Sequence, residues 1–120
     1  MSGVLHINNQ SFPAEVLNSP IPVVVDFYAS WCPPCRALSP LLERLAIEFA
    51  GKIRFVKIDS DEAPELAEAY GVSALPTLVF IQNGETVGNS VGLPQEQQLR
   101  SDLNKLVQKV ADRSVNQIRW

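Results

Sequence analysis

Two cysteines, Cys32 and Cys35, lie at the junction between a strand-like run and a helix-like run. The run before them, PVVVDFYA at residues 22–29, is rich in β-branched and aromatic residues, which is typical of a central strand covered on both faces. The run after them carries leucine and phenylalanine at helical spacing as far as Gly51, a good C-terminal stop. The cysteine pair is therefore predicted at the N-terminus of a helix that directly follows a buried strand.

Strand and helix patterns alternate along the rest of the chain. Residues 4–8 and 52–59 have the pattern of strands, and Ser11 is a candidate N-cap for a short helix between the first two strands. Residues 61–71 form a short acidic helix pattern, and a long amphipathic helix is predicted from Pro94 onward. Between them, Asn83-Gly84 separates two strand patterns and predicts a hairpin with a type I′ turn. The order β-α-β-α-β-α-β-β-α indicates an α/β fold with one mixed sheet, parallel in its first part and antiparallel at one edge.

Composition excludes several classes of function. With 120 residues the chain has one domain's worth of sequence, and its net charge of −3 gives no indication of nucleic-acid binding. The longest apolar stretch is too short to span a bilayer, and the N-terminal residues lack the pattern of a secretory signal. We therefore expect a cytoplasmic protein that binds neither nucleic acid nor membrane. In a reducing compartment, two cysteines are more often catalytic or metal-binding than structural.

The position of the cysteines predicts different roles for them. A helix N-terminus carries unsatisfied N–H groups and a partial positive charge, so it stabilises a thiolate relative to a thiol. Cys32, near the N-cap, gains most from this and is the expected nucleophile. Cys35 lies one turn further along the same face, within disulfide range, and is expected to be the more buried, resolving cysteine.

Two other uses of the cysteines fit the sequence less well. A zinc site as a rule needs four ligands, and the chain offers no second cysteine pair and only one histidine, His6. Two inert core cysteines would be plausible in the middle of a strand, but a Trp-Cys-Pro sequence at a strand–helix junction is expected at the surface. The pattern thus favours a redox dithiol and no metal.

Four blocks of the sequence resemble the thioredoxin family. They are VVVDFYASWCPPCRALSP, FVKIDSDE, YGVSALPTLVFIQNGE and SVG, and the resemblance covers about residues 3–107 without insertion. It implies the thioredoxin fold, a central mixed five-stranded sheet with helices on both faces, and dithiol–disulfide exchange with protein disulfides. It also implies re-reduction of a Cys32–Cys35 disulfide by a thioredoxin reductase, no bound cofactor, and a monomer.

Asp26 and Lys57 are predicted to assist the cysteines. Asp26 is a lone carboxylate within the buried strand, where desolvation raises the pKa of a carboxyl group. The resemblance makes it the proton acceptor for Cys35, whereas a merely solvated Asp26 is the plainer alternative. Lys57 in RFVKI is the natural charge partner of Asp26, unless its side chain simply extends out of the sheet.

The remaining site residues are implied for substrate binding. They are Trp31, Pro34, Leu75, Pro76 and Gly92. In the thioredoxin pattern the proline at position 76 is cis and faces the dithiol, and the backbone of residue 75 pairs with an extended substrate strand. Trp31 is expected to cover the site, and Gly92 to line the same groove, although a turn before the last helix would explain a glycine equally well.

The chain departs from the usual thioredoxin pattern at several positions. Pro33 replaces a glycine, Tyr28 replaces a tryptophan, and Ser73-Ala74-Leu75 replaces a sequence such as Arg-Gly-Ile. We interpret Pro33 and Pro34 as residues that tune the redox potential, because neither offers an N–H group to the Cys32 thiolate. The altered groove beside residue 76 leaves the preferred substrate open.

Three functions are compatible with these patterns. The favoured one is a general disulfide reductase, the second is an oxidase or isomerase on the same fold, and the third is a binding module without redox turnover. The intact cysteines, Asp26 and Pro76 argue against the third. We divide the chain into a thioredoxin domain at residues 1–108 and a C-terminal extension at 109–120, in which Val107, Ala111, Val115 and Ile118 continue a helical stripe.

Overall fold

The predicted strands form one mixed sheet in a computed structural model, which describes the backbone of residues 3–118 and the side chains of residues 3–108. The sheet has five strands in the order β1-β3-β2-β4-β5. Their bounds are β1 Val4–His6, β2 Val23–Tyr28, β3 Arg54–Asp59, β4 Thr77–Gln82 and β5 Glu85–Val91. The helices are a π-helical turn Pro13–Leu17, α1 Pro33–Glu48, α2 Pro64–Ala69 and α3 Glu96–Ile118.

Strand pairing follows the predicted order. β3 pairs in parallel with both β1 and β2, whereas β4 pairs antiparallel with β2 and with β5. The central strand β2 is therefore flanked on both sides, and Val23–Phe27 are buried as the β-branched run predicted. In this register Asp26 lies opposite Lys57 of β3 on one side and Leu78 of β4 on the other.

Helices cover both faces of the sheet, as expected. On one face the apolar sides of α1 and α3 pack against alternate residues of the strands, among them Val24, Phe55 and Leu78. On the other face the π-helical turn and α2 pack against the residues of opposite parity, including Val25, Phe27, Val56 and Ile58. Because side chains alternate along a strand, Asp26 belongs to the face covered by α1 and α3.

The hairpin between β4 and β5 has the predicted turn. Asn83 and Gly84 adopt φ angles of +54° and +79°, as both central residues of a type I′ turn require. A side chain at residue 84 would also approach the Leu17 carbonyl oxygen, since an added Cβ would lie 3.3 Å from it. The Asn-Gly pair therefore fixes the register of the two strands.

The prediction that Ser11 caps the first helix is wrong. Its hydroxyl oxygen accepts a hydrogen bond from the Asn8 backbone N–H at 3.0 Å, while the Asn8 side-chain oxygen accepts one from the Ser11 N–H at 2.9 Å. These reciprocal bonds close a turn between Asn8 and Ser11 that precedes the helix. Phe12 occupies the N-cap instead and makes no side-chain capping bond.

The last helix runs from Glu96 to Ile118. Leu99, Leu103 and Leu106 are buried against the sheet and α1. An exposed ion cluster joins α3 to α1, and its members are Arg44, Glu48, Glu96 and Arg100. The side chains at 111, 115 and 118 lie outside the described ones. Among the residues that the structure describes, none of the helices has the length and apolar character of a membrane span.

Candidate active site

Cys32 is the N-cap residue of α1. Its backbone is extended, with φ −92° and ψ 110°, and its carbonyl accepts a hydrogen bond from the Arg36 N–H at 3.2 Å. The Cys32 N–H donates to the Ala29 carbonyl at 3.2 Å, which closes a tight turn between the end of β2 and the start of α1. The predicted junction therefore places Cys32 directly at the positive end of the helix dipole.

Cys32 and Cys35 form a disulfide with their Cα atoms 5.3 Å apart. The Cys32 sulfur also accepts a hydrogen bond from the Cys35 backbone N–H, at 3.3 Å. When Cys32 is reduced, the same N–H is therefore in place to stabilise its thiolate.

The expectation that Cys35 is the more buried cysteine is wrong for this disulfide form. Cys32 is 3% exposed and Cys35 is 4% exposed, because Ala29, Tyr28 and Leu75 pack around the disulfide. Cys32 is likewise less exposed than its position at a surface junction suggested. Only the placement of the two residues along the helix, and not their burial, distinguishes them.

Asp26 is buried at 1% exposure, and neither carboxylate oxygen has a hydrogen-bond partner among the described residues. Desolvation raises the pKa of Asp26 from 3.8 to about 6, against a smaller effect of the Lys57 ammonium that lowers it. The alternative of a solvated Asp26 is therefore wrong. The carboxyl group exchanges its proton close to neutral pH, which a proton acceptor requires.

Lys57 does not contact Asp26 as a direct ion-pair partner. The two residues are opposite each other in the β2–β3 register, but the ion pairs of the described side chains do not include them. The Lys57 Nζ instead lies over the Tyr28 ring, 4.6 Å from its centroid. Lys57 thus acts on Asp26 through space, and its ammonium lines a surface cavity together with Tyr28 and Cys35.

The peptide bond between Leu75 and Pro76 is cis, as the resemblance implied. The Leu75 side chain contacts the disulfide cluster, and the Pro76 carbonyl accepts a hydrogen bond from the Gly92 N–H at 2.8 Å. Gly92 has a φ of +84°, a conformation that favours glycine. The backbone N–H and carbonyl of Leu75 make no hydrogen bond within the described part of the chain.

Trp31 is 64% exposed beside the disulfide. Its indole Nε1 donates a hydrogen bond to an Asp61 carboxylate oxygen at 2.7 Å, which fixes the orientation of an otherwise exposed ring. Pro33 and Pro34 are exposed at the first two positions of α1. The disulfide, Trp31 and Leu75 thus lie at the end of β2 that leads into α1, whereas Asp26 and Lys57 lie within their strands.

No group of three or more histidine, cysteine, aspartate or glutamate residues that could hold a metal ion occurs within the described residues.

The thioredoxin family model matches residues 3–105 of the chain. The chain belongs to the thioredoxin family. It is 44% identical to the thioredoxin of Haemophilus influenzae over 105 residues. The aligned region covers 88% of this chain and 98% of the relative. It is 40% identical to the thioredoxin of Porphyra purpurea, over 87% of this chain and 97% of the relative, and 39% identical to thioredoxin 1 of Nostoc sp., over 88% and 98%. The chain is therefore a thiol–disulfide oxidoreductase that acts on protein disulfides.

Sequence reasoning missed three residues that lie next to predicted site residues. Asp61 follows β3, and because β3 runs parallel to β2 its end lies beside Trp31, a neighbourhood that strand order could have suggested. Val91 and Leu93 flank Gly92 and are exposed large apolar side chains. Their signal in the sequence was only an apolar pair around a glycine, which by itself does not distinguish a binding surface from a turn.

Replacing Pro33 with glycine should make this thioredoxin more oxidising. Pro33 and Pro34 supply no N–H group, so the Cys35 N–H is the donor that reaches the Cys32 sulfur. Proline also stiffens the segment, which loses less freedom when the disulfide closes. Pro33→Gly reverses both effects, and we expect a lower Cys32 pKa and a potential less negative by about 30 mV or less.

Equilibration of the wild type and the variant side by side against glutathione buffers measures this shift. The matched control is Pro13→Gly, which alters the same residue type at the start of the π-helical turn, on the other face of the sheet. A Pro33→Gly potential that is unchanged, or more negative than that of the wild type, would contradict the prediction.

Proposed function

We propose that this thioredoxin works as a disulfide reductase in which Cys32 is the nucleophile and Cys35 is the resolving cysteine. The observation that carries the proposal is the N-cap position of Cys32, whose sulfur receives the Cys35 N–H at 3.3 Å. A thiolate at this position is stabilised by the helix dipole and by that N–H, whereas a sulfur one turn into the helix lacks both.

The reaction transfers two electrons from the cysteine pair to the substrate, and the two released substrate sulfurs take up protons from Asp26 and from solvent. The Cys32 thiolate attacks one sulfur of a substrate disulfide, a mixed disulfide forms, and the other substrate sulfur leaves as a thiolate and takes up a proton. The Cys35 thiol then gives its proton to Asp26 and attacks the Cys32 sulfur. The second substrate sulfur leaves and is protonated, and the Cys32–Cys35 disulfide remains.

Asp26 suits the role of proton acceptor in the second step. A carboxyl group with a pKa of about 6 is mostly ionised at pH 7, and it binds a proton much more readily than an exposed aspartate does. Both carboxylate oxygens are without a hydrogen-bond partner among the described residues, so both are available to the thiol proton, directly or through water.

The substrate is proposed to bind as an extended strand beside Leu75. The backbone N–H and carbonyl of Leu75 have no partner in the described region, and an extended peptide could pair with both. Exposed apolar side chains border this edge and would contact the side chains of a substrate. They are Trp31, Val91 and Leu93. Pro34, exposed at the start of α1, would contact the segment around the substrate sulfur.

We further infer that a thioredoxin reductase re-reduces the disulfide, which implies a cytoplasmic location where thiols are kept reduced. We also propose that the protein works as a monomer, because its site is complete within one chain. The thioredoxin domain is proposed to comprise residues 1–108, and residues 109–120 to be an extension, because the family match ends at residue 105.

Two measurements test this function. The wild type should catalyse NADPH-dependent reduction of insulin when a bacterial thioredoxin reductase is supplied. Its potential against glutathione should be closer to the about −270 mV of thioredoxin than to the about −180 mV of protein disulfide isomerase. A potential near the latter value, with rapid oxidation of a reduced peptide, would favour the oxidase or isomerase function instead.

A further inference from the structure

Position 28 carries a tyrosine whose ring receives the ammonium group of Lys57. The Lys57 Nζ lies 4.6 Å from the ring centroid, within the range of a cation–π interaction. The contact is therefore made by the face of the ring. His6 of β1 packs edge-on against the same ring, with centroids 6.3 Å apart, and helps to fix its orientation.

Asp26 and Tyr28 are two residues apart on β2, so their side chains share the face covered by α1 and α3. Lys57 lies opposite Asp26 in the register of β3. The lysine ammonium therefore has two anionic or electron-rich partners within the same neighbourhood, the carboxylate and the ring. In the structure the Lys57 ammonium contacts the Tyr28 ring. Both oxygens of the buried Asp26 carboxylate remain without a hydrogen-bond partner in the region described.

We propose that Tyr28 is a positioning residue for the proton-transfer step, and that its ring holds the Lys57 ammonium away from the Asp26 carboxyl group. The inference rests on the proposed role of Asp26 as proton acceptor. A directly paired ammonium would favour the ionised carboxylate strongly and make it a poor acceptor for the Cys35 proton. The ammonium over the ring instead lines the cavity that Cys35 also lines.

Among the charged groups around the site, Lys57 is the one whose charge changes the pKa of Asp26. From α1, Arg36 and Glu43 line the cavity with Lys57, and β4 contributes the uncharged Leu78 opposite Asp26. Asp59 at the end of β3, Glu62 after it, and His6 of β1 lie around the Tyr28 ring. None of the other groups has a comparable effect on the pKa of Asp26.

Tyr28 also remains an uncharged ring. Burial first, and then the carboxylates of Asp59, Glu62 and Asp26, raise the pKa of its phenol above the ordinary value. The hydroxyl therefore keeps its proton throughout the pH range in which Asp26 titrates. Phenylalanine at this position should therefore make the same cation–π contact with the Lys57 ammonium as tyrosine does, whereas an aliphatic side chain cannot make it.

The experiment follows the titration of Asp26 by the ¹³C shift of its carboxyl carbon in the oxidised protein, so that the readout needs no turnover. Tyr28→Leu should lower the midpoint by about one pH unit, a tenfold loss of proton affinity, because the released ammonium can approach the carboxylate. Tyr28→Phe should leave the midpoint within about 0.3 unit of the wild-type value. In a Lys57→Met background Tyr28→Leu should have no such effect, since the cation is gone.

Each outcome decides one part of the proposal. An unchanged midpoint in folded Tyr28→Leu, or an equal decrease in Tyr28→Phe or in the Lys57→Met background, would overturn the positioning role. If Tyr28→Leu does not fold, Tyr28→Met provides the same test with a larger flexible side chain. The midpoint could shift as expected while the pH dependence of insulin reduction by the same variants does not change. This result would support the positioning of Lys57 and reject Asp26 as the proton acceptor.

Discussion

Replacing Cys32 with serine should reduce disulfide reduction to the uncatalysed background, whereas replacing Cys35 with serine should trap the protein on its substrates. Serine at position 32 removes the only sulfur at the N-cap of α1, and the sulfur of Cys35 lacks the stabilisation that a helix terminus gives a thiolate. Serine at position 35 leaves the nucleophile intact. The mixed disulfide then forms but cannot be resolved from within the chain.

Mass spectrometry of non-reduced adducts distinguishes the two variants. Each is incubated with an oxidised client protein, and the doubly substituted Cys32→Ser, Cys35→Ser protein is the control for non-specific association. We expect adducts through Cys32 in the Cys35→Ser variant alone. Adducts that accumulate through Cys35 in the Cys32→Ser variant, without any through Cys32, would reverse the roles assigned here.

Replacing Asp26 with alanine should raise the free energy of unfolding at pH 7 by about 1–3 kcal/mol. The ionised carboxylate is buried without a hydrogen-bond partner in the described part of the chain, so it opposes folding. Its pKa of about 6 in the folded protein exceeds the ordinary 3.8, and the group therefore favours the folded state fully only below about pH 3.8. That contribution is lost as the pH rises through 6, so the gain from alanine should be large at pH 7 and small at pH 4.

Denaturant unfolding of the oxidised protein at both pH values measures this difference. Asp26→Asn is the matched control, because it removes the charge but keeps a polar group of similar size. The same alanine variant should also reduce insulin more slowly near neutral pH. A loss of stability at pH 7 in both variants would mean that the carboxylate is satisfied in the folded protein, and it would weaken the case for proton transfer.

Local patterns were sufficient to predict the order of strands and helices. The β-branched run of β2, the leucine spacing of α1 and the Asn83-Gly84 turn each report a backbone preference that the rest of the fold does not override. The cysteine pair could be placed because a strand pattern ends just before it and a helix pattern begins there. Ser11 failed as a cap because Asn8 offers a competing local partner, and sequence does not rank such alternatives.

The features that could not be predicted depend on contacts between distant segments. Burial of Asp26 followed from its strand, but the direction of the Lys57 side chain depends on which neighbour its ammonium meets, and that neighbour is the ring of Tyr28. The near-equal burial of the two cysteines depends on Leu75, which lies about forty residues further along the chain. Periodicity reports which face a residue occupies, and it carries no information on which side chain covers it.

The hydrogen bond from the Gly92 N–H to the Pro76 carbonyl ties together the two loops that border the active-site groove. We expect this bond to limit the movement of the proposed substrate-binding edge at Leu75, so that most of the entropy of ordering there falls on the incoming chain. Selection among disulfide clients should then depend on how easily each one locally unfolds into an extended segment. Because backbone pairing at Leu75 does not read side chains, the flexibility of a client should matter there, while the apolar side chains that border the edge add any preference for its sequence.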